Sequence, residues 1–245
     1  MKLAMAQMRI SRDYDENFRQ SLRFIKNARG CDLLFFPEVQ LSPFFAQYKK
    51  RDLPYDIHAY ITDINDDLIG DFRRAAQENQ LFISPNFYVN DGGKQYDMSL
   101  MIDSVGEIIG TSAMVNIADH PCFYEKEYYE PSKEGYQVYE TPFGKVGIVI
   151  CYDRHFPESV RSCAAQKAEL VIIPTANTLE EDMLYFEKEI QSLARDSGVA
   201  IAMCNRTGTE DKMHFAGQSV IVSAGGETLF KADEKEQLII FDLEL

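Results

Sequence analysis

Short apolar runs alternate with polar stretches of helical spacing between residues 3 and 240, the signature of strands interleaved with crossing helices. The runs Leu3–Met8, Leu33–Phe36, Leu81–Val89, Ser99–Ile102, Val146–Ile150, Leu170–Ile173, Ala200–Cys204, Ser219–Val222 and Leu238–Phe241 predict strands. Asp15–Ala28 carries Phe18, Leu22 and Ile25 at spacings of four and three, one apolar stripe, and Gly30 is placed to end that helix. Leu68–Asn79, Pro157–Lys167 and Glu180–Ser197 predict helices by the same pattern. Asp91-Gly92-Gly93 and Ala224-Gly225-Gly226 separate strand-like runs and predict hairpins, so this α/β chain is not expected to be purely doubly wound. No repeat, low-complexity segment or Pro/Ser/Gly-rich linker divides residues 1–245, and a single domain is expected.

Composition narrows the function classes. Across 245 residues, 45% are hydrophobic, enough for a substantial core and against intrinsic disorder. The 39 acidic and 25 basic side chains give a formal charge of −14, a field that repels nucleic-acid phosphates and anionic lipid. No nucleic-acid or membrane partner is expected. The first residues turn polar at Arg9, Ser11 and Arg12, with no apolar run long enough for a signal peptide or a membrane span, so a cytoplasmic location is expected. Cys31, Cys122, Cys151, Cys163 and Cys204 are odd in number and lack paired spacings, which predicts free thiols. His58, His120, His155 and His214 stand at no metal-ligand spacing, and no Gly-rich phosphate loop is present.

Three stretches carry candidate chemistry. In Thr141 to Glu158 an apolar strand runs into Cys151 and a polar turn, with Pro157 placed to open a helix. Such an elbow presents a thiol at a sheet edge and brings backbone N–H groups, that of Tyr152 included, near any carbonyl the sulfur attacks. A buried structural cysteine is the competing reading. In Asp32–Glu38 a second apolar strand delivers Glu38 just past Pro37, where a carboxylate can act as general base or simply open a solvated loop. Cys122 to Pro131 is dense in aromatics and charges: Phe123 and Tyr124 can wall a pocket while Glu125 reaches in, or the stretch is a surface loop.

Taken in order, Phe36-Pro37-Glu38, Phe123-Tyr124-Glu125, the run Gly147 to Arg154 with Cys151, Ile173 to Asn177 and Asn205 to Gly208 resemble the nitrilase, or carbon-nitrogen hydrolase, superfamily over nearly the whole chain. The resemblance implies a four-layer α-β-β-α sandwich, usually dimerised through its helical face, that hydrolyses non-peptide C–N bonds without metal or organic cofactor. It implies Cys151 as nucleophile, Glu38 as general base, Glu125 as a second, orienting carboxylate, and the Tyr152 N–H as part of the oxyanion hole. Phe123, Tyr124 and Asn177 would shape the pocket.

One departure stands out. The family's lysine lies about a dozen residues before the second glutamate, and here Thr111 to Ile117 contains none. The best match places it at Ala113, with Met114 next if the spacing differs by one, and Asn116 falls where a histidine is common. That ammonium favours the thiolate and stabilises the tetrahedral intermediate, and losing one such donor costs about 3–4 kcal/mol. The chain then reads as a carbon-nitrogen hydrolase impaired by an introduced or natural substitution, or as a non-catalytic binding or scaffolding protein of the same fold. Replacement of the lysine by Lys126 is disfavoured, because that residue follows Glu125 and would project elsewhere. Members acting on N-carbamoyl amino acids carry Asp-Arg-Arg after the nucleophile to grip a carboxylate. Here the segment is Asp153-Arg154-His155, so Arg154 is either such a fork or half of an ion pair with Glu158 or another acid. A small amide or N-carbamoyl compound of an acid is the expected substrate, ahead of an amine such as carbamoylputrescine.

Overall fold

Strand parity decides the architecture. In the computed structural model, which describes residues 1–245, successive residues of the central strands enter two different apolar layers. Leu3, Met5, Leu33 and Phe35 face Val146, Ile148, Leu170 and Ile172 across an inner core. Their neighbours Ala4, Ala6, Leu34 and Phe36 face outward on one side, and Val149, Val171, Ile173 and Ile201 face outward on the other. A run apolar at every position is thus a strand buried on both faces, as expected where helices cover a sheet.

The first sheet has eight strands, in the order Gln237–Asp242, Lys2–Gln7, Leu33–Phe35, Phe82–Ser84, Lys94–Ile102, Asn86–Asp91 and Thr62–Asp63, with Ile108–Ala113 also pairing on Lys94–Ile102. Helices α1 (Tyr14–Asn27) and α2 (Asp67–Asn79) cover its outer face through Phe24, Ile25, Phe72 and Ala76. The second sheet has six strands, in the order Thr228–Lys231, Val220–Val222, Ala200–Asn205, Leu170–Thr175, Gly144–Ile148 and Val138–Thr141. Helices α3 (Glu158–Ala165) and α4 (Met183–Ser197) cover it through Val160, Cys163, Ile190 and Leu193. The layers therefore run α-β-β-α, as the resemblance implies. A small ribbon, Thr207–Glu210 with Met213–Ala216, lies outside both sheets.

Departures from the expected elements have local causes. Leu81–Val89 is two strands, because Pro85 breaks the run: Phe82–Ser84 pairs parallel with Leu33–Phe35, whereas Asn86–Asp91 pairs antiparallel with Lys94–Ile102. The Asp91-Gly92-Gly93 hairpin forms as expected, with positive φ of 59° and 81° at its two glycines. Helix α4 starts at Met183 rather than Glu180, since the Asp182 carboxylate caps the N–H groups of Leu184 and Tyr185. Ile108–Ala113 and Val138–Thr141 were not expected as strands; much of each is partly exposed, so neither reads as an apolar run. No helix is long and apolar enough to cross a membrane.

The strand Gly144–Ile148 sits tight against α3. A Cβ on Gly147 would lie 2.9 Å from the Cys163 Sγ and 3.0 Å from its Cβ, so only glycine permits this approach. Gly147→Ala should destabilise the protein by about 1–3 kcal/mol in urea unfolding. Adding Cys163→Ala should restore much of that loss, and strictly additive effects would show that the contact is not the cause.

Candidate active site

The second-sheet strand ends at Ile148, and the chain passes through Val149 and Ile150 into a 3₁₀ turn, Cys151–His155. Cys151 begins that turn with φ of 38°, a left-handed conformation uncommon for a residue with a side chain. Its sulfur is buried at the end of the neighbouring strand Leu170–Thr175. The Thr175 hydroxyl lies 3.2 Å from Sγ and 2.9 Å from the Asn177 Oδ1, and its single proton serves one of them at a time. The Arg154 Nη1 lies 3.7 Å from Sγ, 2.8 Å from the Cys151 carbonyl and 3.2 Å from the Thr175 oxygen. Burial pushes the thiol pKa up, and the Arg154 charge opposes that rise.

Two loops of the other half bring carboxylates to this sulfur. Glu38 follows the strand Leu33–Phe35 and is fully buried; no N–H or hydroxyl reaches its oxygens, and its carboxyl meets that of Asp97. Burial, reinforced by Cys151, Asp97 and Glu125, holds its carboxyl well above the usual range. Glu125 opens the turn Glu125–Glu127, is also fully buried, and accepts the Ala118 N–H at 3.0 Å through one oxygen while the other has no partner. Burial pushes its carboxyl up to about 8. A carboxyl titrating near neutrality is suited to exchanging protons, and such groups cluster at functional sites.

The site draws on residues the motifs did not single out. Asp97 lies inward on the strand Lys94–Ile102, donated to by Asn86 Nδ2 at 2.7 Å, and burial raises it to about 6. Its inward parity is the available sequence signal, a carboxylate at a core-facing position of a hairpin strand. Asp153 accepts from the N–H groups of Val115 and Asn116 at 3.0 and 2.7 Å, from Asn116 Nδ2 at 2.9 Å and from the Tyr136 hydroxyl at 3.2 Å. That carboxylate therefore fixes the segment after Ile108–Ala113 against the nucleophile turn. Tyr129 is buried nearby, with its hydroxyl unpartnered and its proton held by the carboxylates Asp97, Glu38 and Glu125 as well as by burial.

Ala113 is not brought to this cluster. It pairs with Met98 and packs in the outer core of the first sheet, whereas Met114 is fully buried in the inner core that contains Cys151 and Tyr129. The physical reason is parity: one residue of shift moves a side chain to the opposite face. Asn116 is spent on Asp153 and Tyr136.

The remaining candidates divide. Asn177 is buried and locks two strand ends together, its N–H donating to Asn205 Oδ1 at 2.8 Å, and it touches the sulfur only through Thr175. Phe123 packs edge-on against Phe44, 5.4 Å between centroids, at the margin of the inner core. Tyr124 turns away, with the Lys49 ammonium over its ring. The Tyr152 ring stacks among His120, His155 and Phe156. It also bounds a cleft of about 590 Å³ that Tyr129, Val115 and Ile117 line as well. Arg154 pairs with Glu189 of α4 rather than Glu158; Nε lies 3.4 Å from Oε2, and Oε1 meets His155 Nδ1 at 2.7 Å. Nowhere do three or more His, Cys, Asp or Glu side chains form a group able to hold a metal ion.

Burial of these carboxyls links stability to pH. Glu125, Asp97 and Asp153 all have folded values above the ordinary carboxylate range, so the fold favours their neutral forms. The stability they contribute is full below about pH 4 and declines as pH rises through about 6 for the aspartates and about 8 for Glu125. Replacing Glu125 with Gln should flatten the decline of melting temperature between pH 6 and 8; an unchanged slope would mean that Glu125 is ionised throughout.

The description "Carbon-nitrogen hydrolase" belongs to the family whose sequence profile matches residues 2–245. N-carbamoylputrescine amidase of Arabidopsis thaliana is 27% identical over 263 residues, covering 98% of this chain and 85% of that protein. Citrullinase of Francisella tularensis subsp. tularensis is 25% identical, covering 98% of this chain and 87% of that protein. The crystal structure of carbon-nitrogen hydrolase from Helicobacter pylori G27 superposes with a TM-score of 0.88 at 24% identity, over 98% of this chain and 88% of that chain. The match over residues 2–245 places this chain in the carbon-nitrogen hydrolase family.

Proposed function

We propose that this protein hydrolyses the C–N bond of a small primary amide or carbamoyl compound through a thioester on Cys151. The observation that carries the reading is the buried turn that begins at Cys151 with φ of 38°, within electrostatic reach of two fully buried carboxyls, Glu38 and Glu125. Glu38 takes the thiol proton, and sulfur attacks the carbonyl carbon. The oxyanion meets the Tyr152 N–H, a preorganised donor at the start of the turn. Glu38 passes its proton to the departing nitrogen, ammonia leaves and a thioester remains. Glu38 then deprotonates water, which attacks the thioester, and the thiol is restored as the acid leaves; a carbamoyl group departs as carbamic acid, which loses carbon dioxide. Glu125 orients the site and, near its transition at about 8, stays largely neutral at pH 7.

Arg154 is already engaged within the protein. Buried to 2% exposure and engaged by Cys151, Thr175 and Glu189, it is not a free fork for a carboxylate. The preference for an acid over an amine loses its ground. N-carbamoylputrescine and citrulline, named in the similar proteins, both carry a carbamoylated amine, and a ureido group is the leading substrate class.

We take Met114, whose side chain enters the inner core with Cys151, as the counterpart of the lysine that the resemblance implies, a replacement expected to reduce turnover about a hundred- to a thousandfold relative to a lysine-bearing site. The same buried Met114 favours a second reading, a binding or scaffolding protein that keeps the fold without catalysis. Ammonia release from a panel of small amides, N-carbamoyl amines and N-carbamoyl amino acids separates the two. Turnover should be measurable, vanish in Cys151→Ala, drop by about 10²–10⁴ in Glu38→Gln, and rise in Met114→Lys but not in Ala113→Lys. Silence of the folded protein and of Met114→Lys across the panel would favour the binding protein.

A further inference from the structure

The site gathers Glu38 from the first sheet's loop, Asp97 from its hairpin, Glu125 from the turn after it and Asp153 from the nucleophile turn, all buried to 1% exposure or less. No lysine ammonium accompanies them in the segment Thr111 to Ile117. Ionising the thiol among these acids without a counter-charge would be strongly unfavourable, because like charges and low dielectric both oppose a second anion. A cation does touch the sulfur, and it comes from the other side. The Arg154 guanidinium lies under the nucleophile turn, Nη1 3.7 Å from Sγ, its carbon 4.2 Å from the centre of the Phe186 ring and its Nε paired with Glu189 at 3.4 Å.

We propose that Arg154 is the cation that generates and holds the Cys151 thiolate, taking over one of the two tasks that the resemblance gives to the missing lysine. The inference rests on Cys151 being the nucleophile of the proposed hydrolase. Arginine suits the position where lysine would not: a guanidinium keeps its charge when buried, and its planar face stacks on Phe186. Its hold on the Cys151 carbonyl at 2.8 Å also fixes the left-handed turn from which the sulfur projects. The second task, stabilising the carbonyl oxyanion, is not covered, because Arg154 lies against the thiol and the end of the strand Leu170–Thr175. In the reaction, the thiol proton passes to Glu38 and the resulting negative charge on sulfur faces Arg154; no oxidant or further reactant is involved.

The test reads the thiol without requiring turnover. Alkylation by iodoacetamide, followed by peptide mass spectrometry across pH 5–10, gives the reaction midpoint of Cys151, with Cys122 as the more accessible internal control. Cys151 should react at a lower midpoint than Cys31 or Cys163. In Arg154→Gln that midpoint should rise by about one to three pH units, while Arg154→Lys should restore part of the shift. Loss of a merely structural contact would slow alkylation at all pH values and leave the midpoint in place, which would overturn the proposal. Should Arg154→Gln fail to fold, Glu189→Gln decides: removing the competing carboxylate leaves Arg154 in place and should lower the Cys151 midpoint, and an unmoved midpoint would overturn the proposal. A wild-type Cys151 no more reactive than Cys31 would instead remove the nucleophile, and with it the hydrolase reading itself.

Discussion

The Asp153 carboxylate holds the two halves of the site together. It rises from the nucleophile turn of the second sheet and accepts two backbone N–H groups, an amide and a hydroxyl, the first three from the segment that leaves the first sheet's hairpin. Without it the two sheets would still share an apolar core, but apolar burial is non-directional and sets no particular distance between Cys151 and Met114 or Glu125. Hydrogen bonds to a buried carboxylate are directional and costly to leave unmade, so they fix that distance. The approach of the segment that leads to Glu125 toward Cys151 depends on this one junction.

Around the junction, charge is the governing cost. Two apolar sheets exclude water from Glu38, Asp97, Glu125 and Asp153, and each responds by holding its proton more firmly. Glu125 spends one oxygen on the Ala118 N–H, whereas Glu38 receives no N–H donor and meets the Asp97 carboxyl, a contact that favours a proton on Glu38. The same burial raises the Cys151 thiol, so Glu38 and Cys151 are shifted together rather than apart. What separates them is position: Arg154 contacts the sulfur, and the carboxylates approach from the first-sheet side.

Legibility followed the range of the interaction. Cys151 and Glu38 were readable because each ends an apolar run, a pattern carried by a few consecutive residues, and the structure places both beside the inner core. The helix boundaries were readable to within a few residues, with Asp182 correcting the start of α4. Ala113 and Met114 could not be told apart by motif spacing, since a gap of one residue is within the looseness of any motif but reverses the face of a strand. Thr175 within Ile173 to Asn177 carries no signal of its own, and no local motif marks Asp97 or Glu189. Their roles depend on partners 24, 11 and 34 residues away.

The sequence by itself determined the α/β class, the apolar runs that become strands, the polar turn that follows Ile150 and the net negative charge, because periodicity, composition and local turn chemistry are properties of neighbouring residues. Only the tertiary structure decided which side of Cys151 carries positive charge. Arg154 read equally well as a substrate fork or an ion pair, and its direction was set when α4 placed Phe186 and Glu189 across the turn. A long charged side chain has many rotamers and no preferred partner along the chain; packing removes all but one, and only then does its charge acquire a function.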